Sequence, residues 1–129
     1  SVEENAMSKR NIVHVEIPAK DVQAAGKFYQ ELLGWKLQHD PVLNYTQWEG
    51  ADGTGGGFPA VSDDNPAGRV LVYIDSEDIE TDLKNVERLG GKVVYPKTEI
   101  PNIGWFGLFE DLTGNVLGLY TSMNPDYNR

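Results

Sequence analysis

The sequence predicts an α+β fold made of two βαβββ modules that form a curled mixed β-sheet, with one main helix per module on the convex face. Two observations predict it: a strand–helix pattern that occurs twice along the chain, and short strand-like runs that follow each helix. One helix covers only one face of a sheet. The opposite face therefore has to curl, pair or line a cavity.

Each copy of the repeat begins with a strand and then an aspartate. The first copy, IVHVEIPAKD, ends at Asp21, and the second, VLVYIDSED, ends at Asp78, so the offset is 78 − 21 = 57 residues. Both aspartates are predicted helix N-caps, because their carboxylates accept from first-turn amides. Each helical pattern ends at a glycine, Gly34 or Gly90. The apolar residues at helical spacing, which we expect in the core, are Val22, Ala25, Phe28, Tyr29, Leu32 and Leu33, then Ile79, Leu83, Val86 and Leu89.

Three strand-like runs follow each helix and are separated by turn residues. They are WKLQH, NYTQWE and TGGGFP in the first half, and GKVVYPKTE, GWFGLFE and NVLGLYT in the second. We therefore predict one domain, with a polar linker between its halves. The boundaries are a disordered or artificial extension at 1–8, a first module at 9–61, the linker at 62–68, a second module at 69–122 and a tail at 123–129.

Composition limits the classes of partner. The chain of 129 residues has 11 basic and 20 acidic residues, a net charge of −9. This balance argues against a nucleic acid or an anionic membrane surface as partner. The absence of cysteine excludes disulfides, thiolate catalysis and cysteine metal sites, and it fits a cytoplasmic protein. We expect a small organic molecule as the partner.

Alternation along the first strand predicts which side chains face away from the helix. The aliphatic set is assigned to the helix side and the mixed set to the opposite, concave side. His14 and Glu16 are therefore predicted to share that opposite face, two residues apart. They are candidates for an acid–base pair, and the alternative is an ordinary hydrogen-bonded pair.

Aromatic residues are the other candidates for a binding site. Ligand pockets are mostly apolar, with a few placed polar groups. The alternative for the aromatic residues is that they fill the core. The glycine run at 53–57 is not a phosphate loop, because no lysine and no helix follow it. The predicted pocket residues on these grounds are Tyr45, Trp48, Tyr73, Glu99, Trp105 and Tyr120.

Three segments together resemble the vicinal oxygen chelate superfamily, and specifically a small glyoxalase-like branch of it. They are FYQELLGW at 28–35, KTEIPNIGWF at 97–106 and GNVLGLY at 114–120. This superfamily comprises glyoxalases, bleomycin-resistance proteins, extradiol dioxygenases and fosfomycin-resistance proteins. The resemblance covers residues 10 to about 121, and it implies the paired-module fold and a homodimer.

The resemblance also implies four metal-ligand positions, on the first and last strand of each module. They match His14, Gly57, Leu71 and Gly118 in this chain. One histidine cannot hold a catalytic ion, which needs about three protein ligands, so we expect no metal and no cofactor. A shift of register that brought in Glu16, Glu99 or Tyr120 would not complete the set. We expect instead that the two glycines enlarge the floor of a ligand cavity, with Leu71 also lining it, and that His39 is solvated.

Three hypotheses for function follow. The first is a metal-independent small-molecule-binding protein of the glyoxalase/bleomycin-resistance type, with an aromatic-lined cleft. The second is a glyoxalase-like lyase or isomerase, or a dioxygenase-related enzyme, that acts through His14 and Glu16 or a weak divalent metal site. The third is a protein-interaction module, which has no support beyond acidity.

Overall fold

The computed structural model describes residues 8–127 and contains two helices and eight strands in this range. The α+β class and the βαβββ order of each half are confirmed. The predicted extension at 1–8 lies outside the described residues except for Ser8. The elements are β1 Ile12–Glu16, α1 Val22–Leu33, β2 Lys36–Asp40, β3 Tyr45–Glu49 and β4 Gly55–Gly57, followed by β5 Leu71–Asp75, α2 Ile79–Arg88, β6 Lys92–Ile100, β7 Gly104–Glu110 and β8 Val116–Ser122.

The two modules have the same strand topology. In the first, the strand order is β2-β3-β4-β1, and in the second it is β6-β7-β8-β5. The first strand of each module pairs in parallel with the last strand, β1 with β4 and β5 with β8, and the remaining pairs are antiparallel. The sequence repeat therefore corresponds to a repeat of structure.

Aspartate caps begin both helices, as predicted. Asp21 Oδ1 accepts from the amide of Ala24 at 3.0 Å. Asp78 accepts from both the amide and the hydroxyl of Thr81, at 3.1 and 2.8 Å. The chain leaves α1 through Gly34 with a left-handed φ of 71°. These local bonds fix where each helix begins and ends.

An aromatic stack forms the core of the first module. Ala19, Trp48 and Phe58 are buried there. The rings of Trp35 and Trp48 stack with centroids 3.8 Å apart, and Tyr29 stacks on both Trp35 and Phe58. This stack fills the space between the sheet and α1, because Tyr29 comes from the helix and Trp48 from β3.

Three apolar residues of α1 lie outside that core, and the expectation that they pack in it is wrong. Phe28, Leu32 and Leu33 are 59%, 63% and 51% exposed. An α-helix advances about 100° per residue, so Phe28 leaves α1 in a different direction from Tyr29. Its ring packs only edge-on against that of Tyr29, with centroids 5.1 Å apart, and stays largely exposed. Helical spacing alone thus predicts too wide an apolar face.

The core of the second module is mainly aliphatic. Ile79 and Leu83 of α2 pack with Leu119 of β8, and all three are buried. The partly buried residues that pack against them are Ile74, Val93, Trp105 and Phe109. Ile74 therefore faces α2, as strand alternation predicts, which leaves Tyr73 and Asp75 on the opposite face.

The segment that precedes β1 is bonded to residues of β5 and α2. Ser8 Oγ donates to the carbonyl oxygen of Asp75 at 2.8 Å, and the amide of Asp75 donates to the carbonyl oxygen of Asn11 at 2.9 Å. Arg10 forms two bonds to the carboxylate of Asp82, at 2.5 and 3.1 Å. These contacts hold the segment at residues 8–11 in place.

Within residues 8–127, neither helix has the length and apolar character that a membrane crossing requires.

Candidate functional site

Three polar side chains converge on the first module. The hydroxyl of Tyr45 lies 2.9 Å from Nε2 of His14 and donates to Oε2 of Glu16 at 2.7 Å. All three side chains are half-buried. The sequence predicts all three as site residues, but it places Tyr45 only among the pocket-lining residues. In the structure, Tyr45 joins the other two, and we call the three residues the His–Tyr–Glu cluster.

Strand geometry explains why these side chains meet. Val15 packs into the core beneath α1, so its neighbours His14 and Glu16 project from the opposite face of β1. Gly57 of β4 is in register with Glu16 on one side and with Gln47 of β3 on the other. Tyr45 lies two residues before Gln47 and therefore shares its face, and a tyrosine ring is long enough to cross the intervening strand.

Gly57 is the residue that admits the ring of Tyr45. A Cβ atom at this position would lie 1.9 Å from the hydroxyl oxygen of Tyr45 and 2.0 Å from Cζ. Any other residue would have to displace the ring. The expectation that Gly57 opens volume at the cavity floor is wrong for this space, because an aromatic ring fills it.

Burial dominates the electrostatics of His14. It lowers the pKa of the imidazole below its usual value, and the charge of Glu16 opposes that shift. The neutral form of the imidazole is therefore favoured. The predicted acid–base pair exists as a bridged pair, with the hydroxyl of Tyr45 between the ring and the carboxylate.

The second module also places a tyrosine over a glycine. Gly118 is in register with Tyr73, and a Cβ on Gly118 would lie 2.3 Å from Cδ2 of that ring. The space above Gly118, like that above Gly57, is filled where we expected it to be open. Leu71, at the start of the same strand β5, is 2% exposed and buried.

Tyr120 lies on the face of the second module that is away from α2, in register with Asp75. Burial raises the pKa of Tyr120, the charge of Asp75 adds to this shift, and a hydrogen bond with Ser122 opposes it. The ring of Tyr127 packs edge-on against Tyr120, with centroids 5.5 Å apart. Asp75 is fully buried on the mixed face where strand alternation puts it, but it is not among the site residues predicted from the sequence.

Three of the predicted pocket residues lie on the helix side of their sheets. Trp48 and Trp105 pack in the two cores. Glu99 is in register with Trp105, and paired residues of antiparallel strands share a face. Alternation already separated Trp48 from Tyr45, because the two are an odd number of residues apart on one strand. Trp48 therefore lies on the opposite face of the first module from the His–Tyr–Glu cluster, and Glu99 and Trp105 lie on the helix side of the second module.

The residues present do not fit a divalent metal ion. Of the four positions that the family resemblance implies, only His14 carries a metal-binding atom, and the other three are Gly57, Leu71 and Gly118. Across residues 8–127, no group of three histidine or carboxylate side chains is placed to hold an ion. His39 is exposed and its Nδ1 lies 3.1 Å from the hydroxyl of Thr46.

The sequence matches the model of a known family. The family model of the glyoxalase/bleomycin resistance protein/dioxygenase superfamily matches residues 11–119. The chain belongs to this superfamily. It is 30% identical over 115 residues to a glyoxylase-like domain-containing protein of Didymella fabae, a match that covers 83% of this chain and 90% of the relative.

Solved structures of other proteins show the same fold. A glyoxalase/bleomycin resistance protein/dioxygenase superfamily member from Vibrio splendidus 12B01 has a TM-score of 0.65 at 14% identity, over 88% of this chain and 100% of that one. Methylmalonyl-CoA epimerase from Mycobacterium tuberculosis has a TM-score of 0.67 at 16% identity, over 89% of this chain and 90% of that one. At these identities the likeness concerns the fold.

Proposed function

We propose that this superfamily member binds a small organic molecule on the face of the first module that carries the His–Tyr–Glu cluster, without a divalent ion. The observation that supports this is the convergence of an imidazole, a phenol and a carboxylate within hydrogen-bond distance. Half-buried polar groups of this kind fix the orientation of a ligand. A buried polar atom that is left without a hydrogen-bond partner costs free energy, so a ligand binds well only when its donors and acceptors match those of the site.

The donor set of the face supports a metal-independent mode of binding. A superfamily member that held an ion would need about three ligands, whereas this face offers one imidazole and one carboxylate. The ring of Tyr45 also fills the space that a side chain at position 57 would occupy. Recognition by hydrogen bonds is the interaction that these residues support.

A second candidate function is proton transfer on a bound substrate, as in a lyase or isomerase. The hydroxyl of Tyr45 between His14 and Glu16 favours it, because a proton can pass along a chain of two short hydrogen bonds. In this scheme the substrate gives a proton to Nδ1 of His14, the Nε2 proton passes to Tyr45 and the hydroxyl proton passes to Glu16, so the imidazole stays neutral. The reverse shift returns one proton to the substrate and restores the starting state.

Ligand binding can be tested by nuclear magnetic resonance, because the chain contains only two histidines. We expect members of a library of small polar organic molecules to shift the imidazole signals of His14 and to leave those of His39 in place. A His14→Gln variant should lose the thermal stabilisation that the same compounds give, and His39→Gln should keep it. Equal loss in both variants would contradict the proposed site.

Proton transfer needs a separate assay. Small hydroxycarbonyl compounds are incubated with the protein in heavy water after chelator treatment, and deuterium at carbon is measured. If the second candidate is correct, Tyr45→Phe should slow this exchange at least tenfold while ligand-induced shifts persist. Binding without any exchange would leave the first proposal standing and exclude the second for these compounds.

A further inference from the structure

An exposed apolar ridge runs along α1. Ala24, Phe28 and Leu32 are all exposed, and because they are four residues apart they follow one line on the helix surface. We call these three residues the α1 ridge. A single exposed apolar side chain is ordinary, whereas a contiguous apolar patch marks an interaction surface.

One charge of each sign borders the α1 ridge. Lys27 and Glu31 are one helical turn apart, with Nζ and Oε1 separated by 4.0 Å, and both side chains are largely exposed. They are the only charged residues of the α1 sequence, which is therefore neutral, whereas the whole chain has a net charge of −9. Electrostatic repulsion between two copies of such an acidic chain is smallest where a neutral segment of each meets the other.

The two charges favour an antiparallel arrangement of two copies. In a parallel pair related by a twofold axis, Lys27 would face Lys27 of the partner subunit, and Glu31 would likewise face its own counterpart. In an antiparallel pair, Lys27 of each copy comes near Glu31 of the partner subunit, and the opposed helix dipoles attract. An axis beside Phe28 also sets Leu32 against Ala24 of the partner subunit, so a large side chain meets a small one.

We propose that the α1 ridge is a self-association surface, on which α1 of a second copy of this chain packs antiparallel. A second copy is the occupant because the bordering charges complement themselves under twofold symmetry. The 12 residues of α1 span about 18 Å. A contact of this length buries less than the roughly 1,200 Å² of a standard stable interface, so the dimer is of the weak, reversible kind.

Pairing through α1 leaves the proposed ligand-binding face outside the contact. Val15 packs beneath α1, whereas His14 and Glu16 project from the opposite face of β1. The inference therefore does not depend on the proposed function, and either can fail while the other stands.

The first test removes the apolar side chains of the ridge. Sedimentation velocity between about 1 and 200 μM should show a reversible monomer–dimer equilibrium. Phe28→Ser and Leu32→Ser should each raise the dissociation constant at least tenfold. Leu89→Ser, which replaces a leucine that is 64% exposed at the end of α2, should leave it unchanged. Thermal unfolding of each variant verifies that the fold is retained.

The second test exchanges the charges beside the ridge. Lys27→Glu and Glu31→Lys each place like charges across the twofold axis, and each should weaken dimerisation at least threefold. Combining the two substitutions in one chain restores opposite charges and should restore the original dissociation constant. An equimolar mixture of the two single variants should associate more tightly than either alone. Lys84→Glu, on α2, changes the net charge as Lys27→Glu does and controls for general repulsion.

Three outcomes would overturn the inference. The first is a chain that stays monomeric at the highest concentration. The second is a dimer that both Phe28→Ser and Leu32→Ser leave intact, because another surface would then join the copies. The third is a doubly charge-exchanged chain that associates no better than the single variants, because the antiparallel arrangement requires that rescue.

Discussion

The two modules share a topology but use their tyrosines differently. In the first, Tyr45 comes from β3, which pairs antiparallel with the strand that carries Gly57. In the second, Tyr73 comes from β5, which pairs in parallel with the strand that carries Gly118. Each ring occupies the space above a glycine, yet the two rings come from strands that pair with the glycine strand in opposite directions.

The consequence is chemical. Both histidines of the chain lie in the first module, and one of them is bridged to a carboxylate by Tyr45. At the positions of β5 that the 57-residue offset gives, the second module has Leu71 and Tyr73 in place of an imidazole and a glutamate. A repeated fold thus gives the position of a side chain, and the residue at that position gives the chemistry.

The largest expected loss of stability comes from substituting the glycines of β4. These glycines leave room for an aromatic ring on each face of the strand. A Cβ on Gly56 would lie 1.8 Å from the carbonyl oxygen of Val15 and 2.6 Å from the ring of Trp48. The carbonyl oxygen of Val15 belongs to the backbone and cannot move aside as easily as the end of an aromatic ring. Gly56→Ala should therefore lower the free energy of unfolding by roughly 3 kcal/mol. Gly57→Ala and Gly118→Ala, which meet tyrosine rings, should cost about 1 kcal/mol each.

Urea denaturation followed by fluorescence measures these differences. A matched loss for Gly56→Ala and Gly57→Ala would show that the two faces of β4 are equally tolerant. In that case the explanation of the glycine run by two aromatic rings would be wrong.

The two helix caps should make smaller contributions to the free energy of unfolding, and the two contributions should differ. Asp21→Ala should cost about 1 kcal/mol, because one first-turn amide loses its partner. Asp78→Ala should cost more, since Asp78 accepts from both the amide and the hydroxyl of Thr81. The hydrogen bond from the Thr81 amide is the main reason that the pKa of Asp78 is lowered. Thermal unfolding of the two variants, with Asp63→Ala of the linker as a control, checks the order.

The smallest effect is the pH dependence that His14 contributes. Burial lowers its folded pKa, so below the unfolded value of about 6.5 the unfolded chain takes up a proton that the folded chain refuses. The contribution to stability is complete above that pH and is lost as pH falls. We expect the stability difference between the unaltered protein and His14→Gln to shrink from pH 7.5 to pH 5. A constant difference would contradict the lowered pKa.

Most of the fold could be predicted because its signals are local. Strand alternation, the aspartates before each helix and the glycine after α1 act over a few residues, and the structure has each element where these signals put it. Phe28 shows the limit of periodicity, since apolar character at helical spacing did not decide whether its side chain is buried. Trp48 shows a similar limit for strands. Aromatic character alone did not indicate which face of β3 it occupies, and only its odd spacing from Tyr45 separates the two side chains.

The sequence by itself determined that His14 and Glu16 share one face of the first strand, because alternation is a property of the strand alone. It also determined that the implied metal positions lack ligands. Only the tertiary structure decided that Tyr45 joins that pair, since this residue is 31 positions from His14 and 29 from Glu16 along the chain. Strand register and the missing side chain of Gly57 set that contact, and both depend on which strands pair.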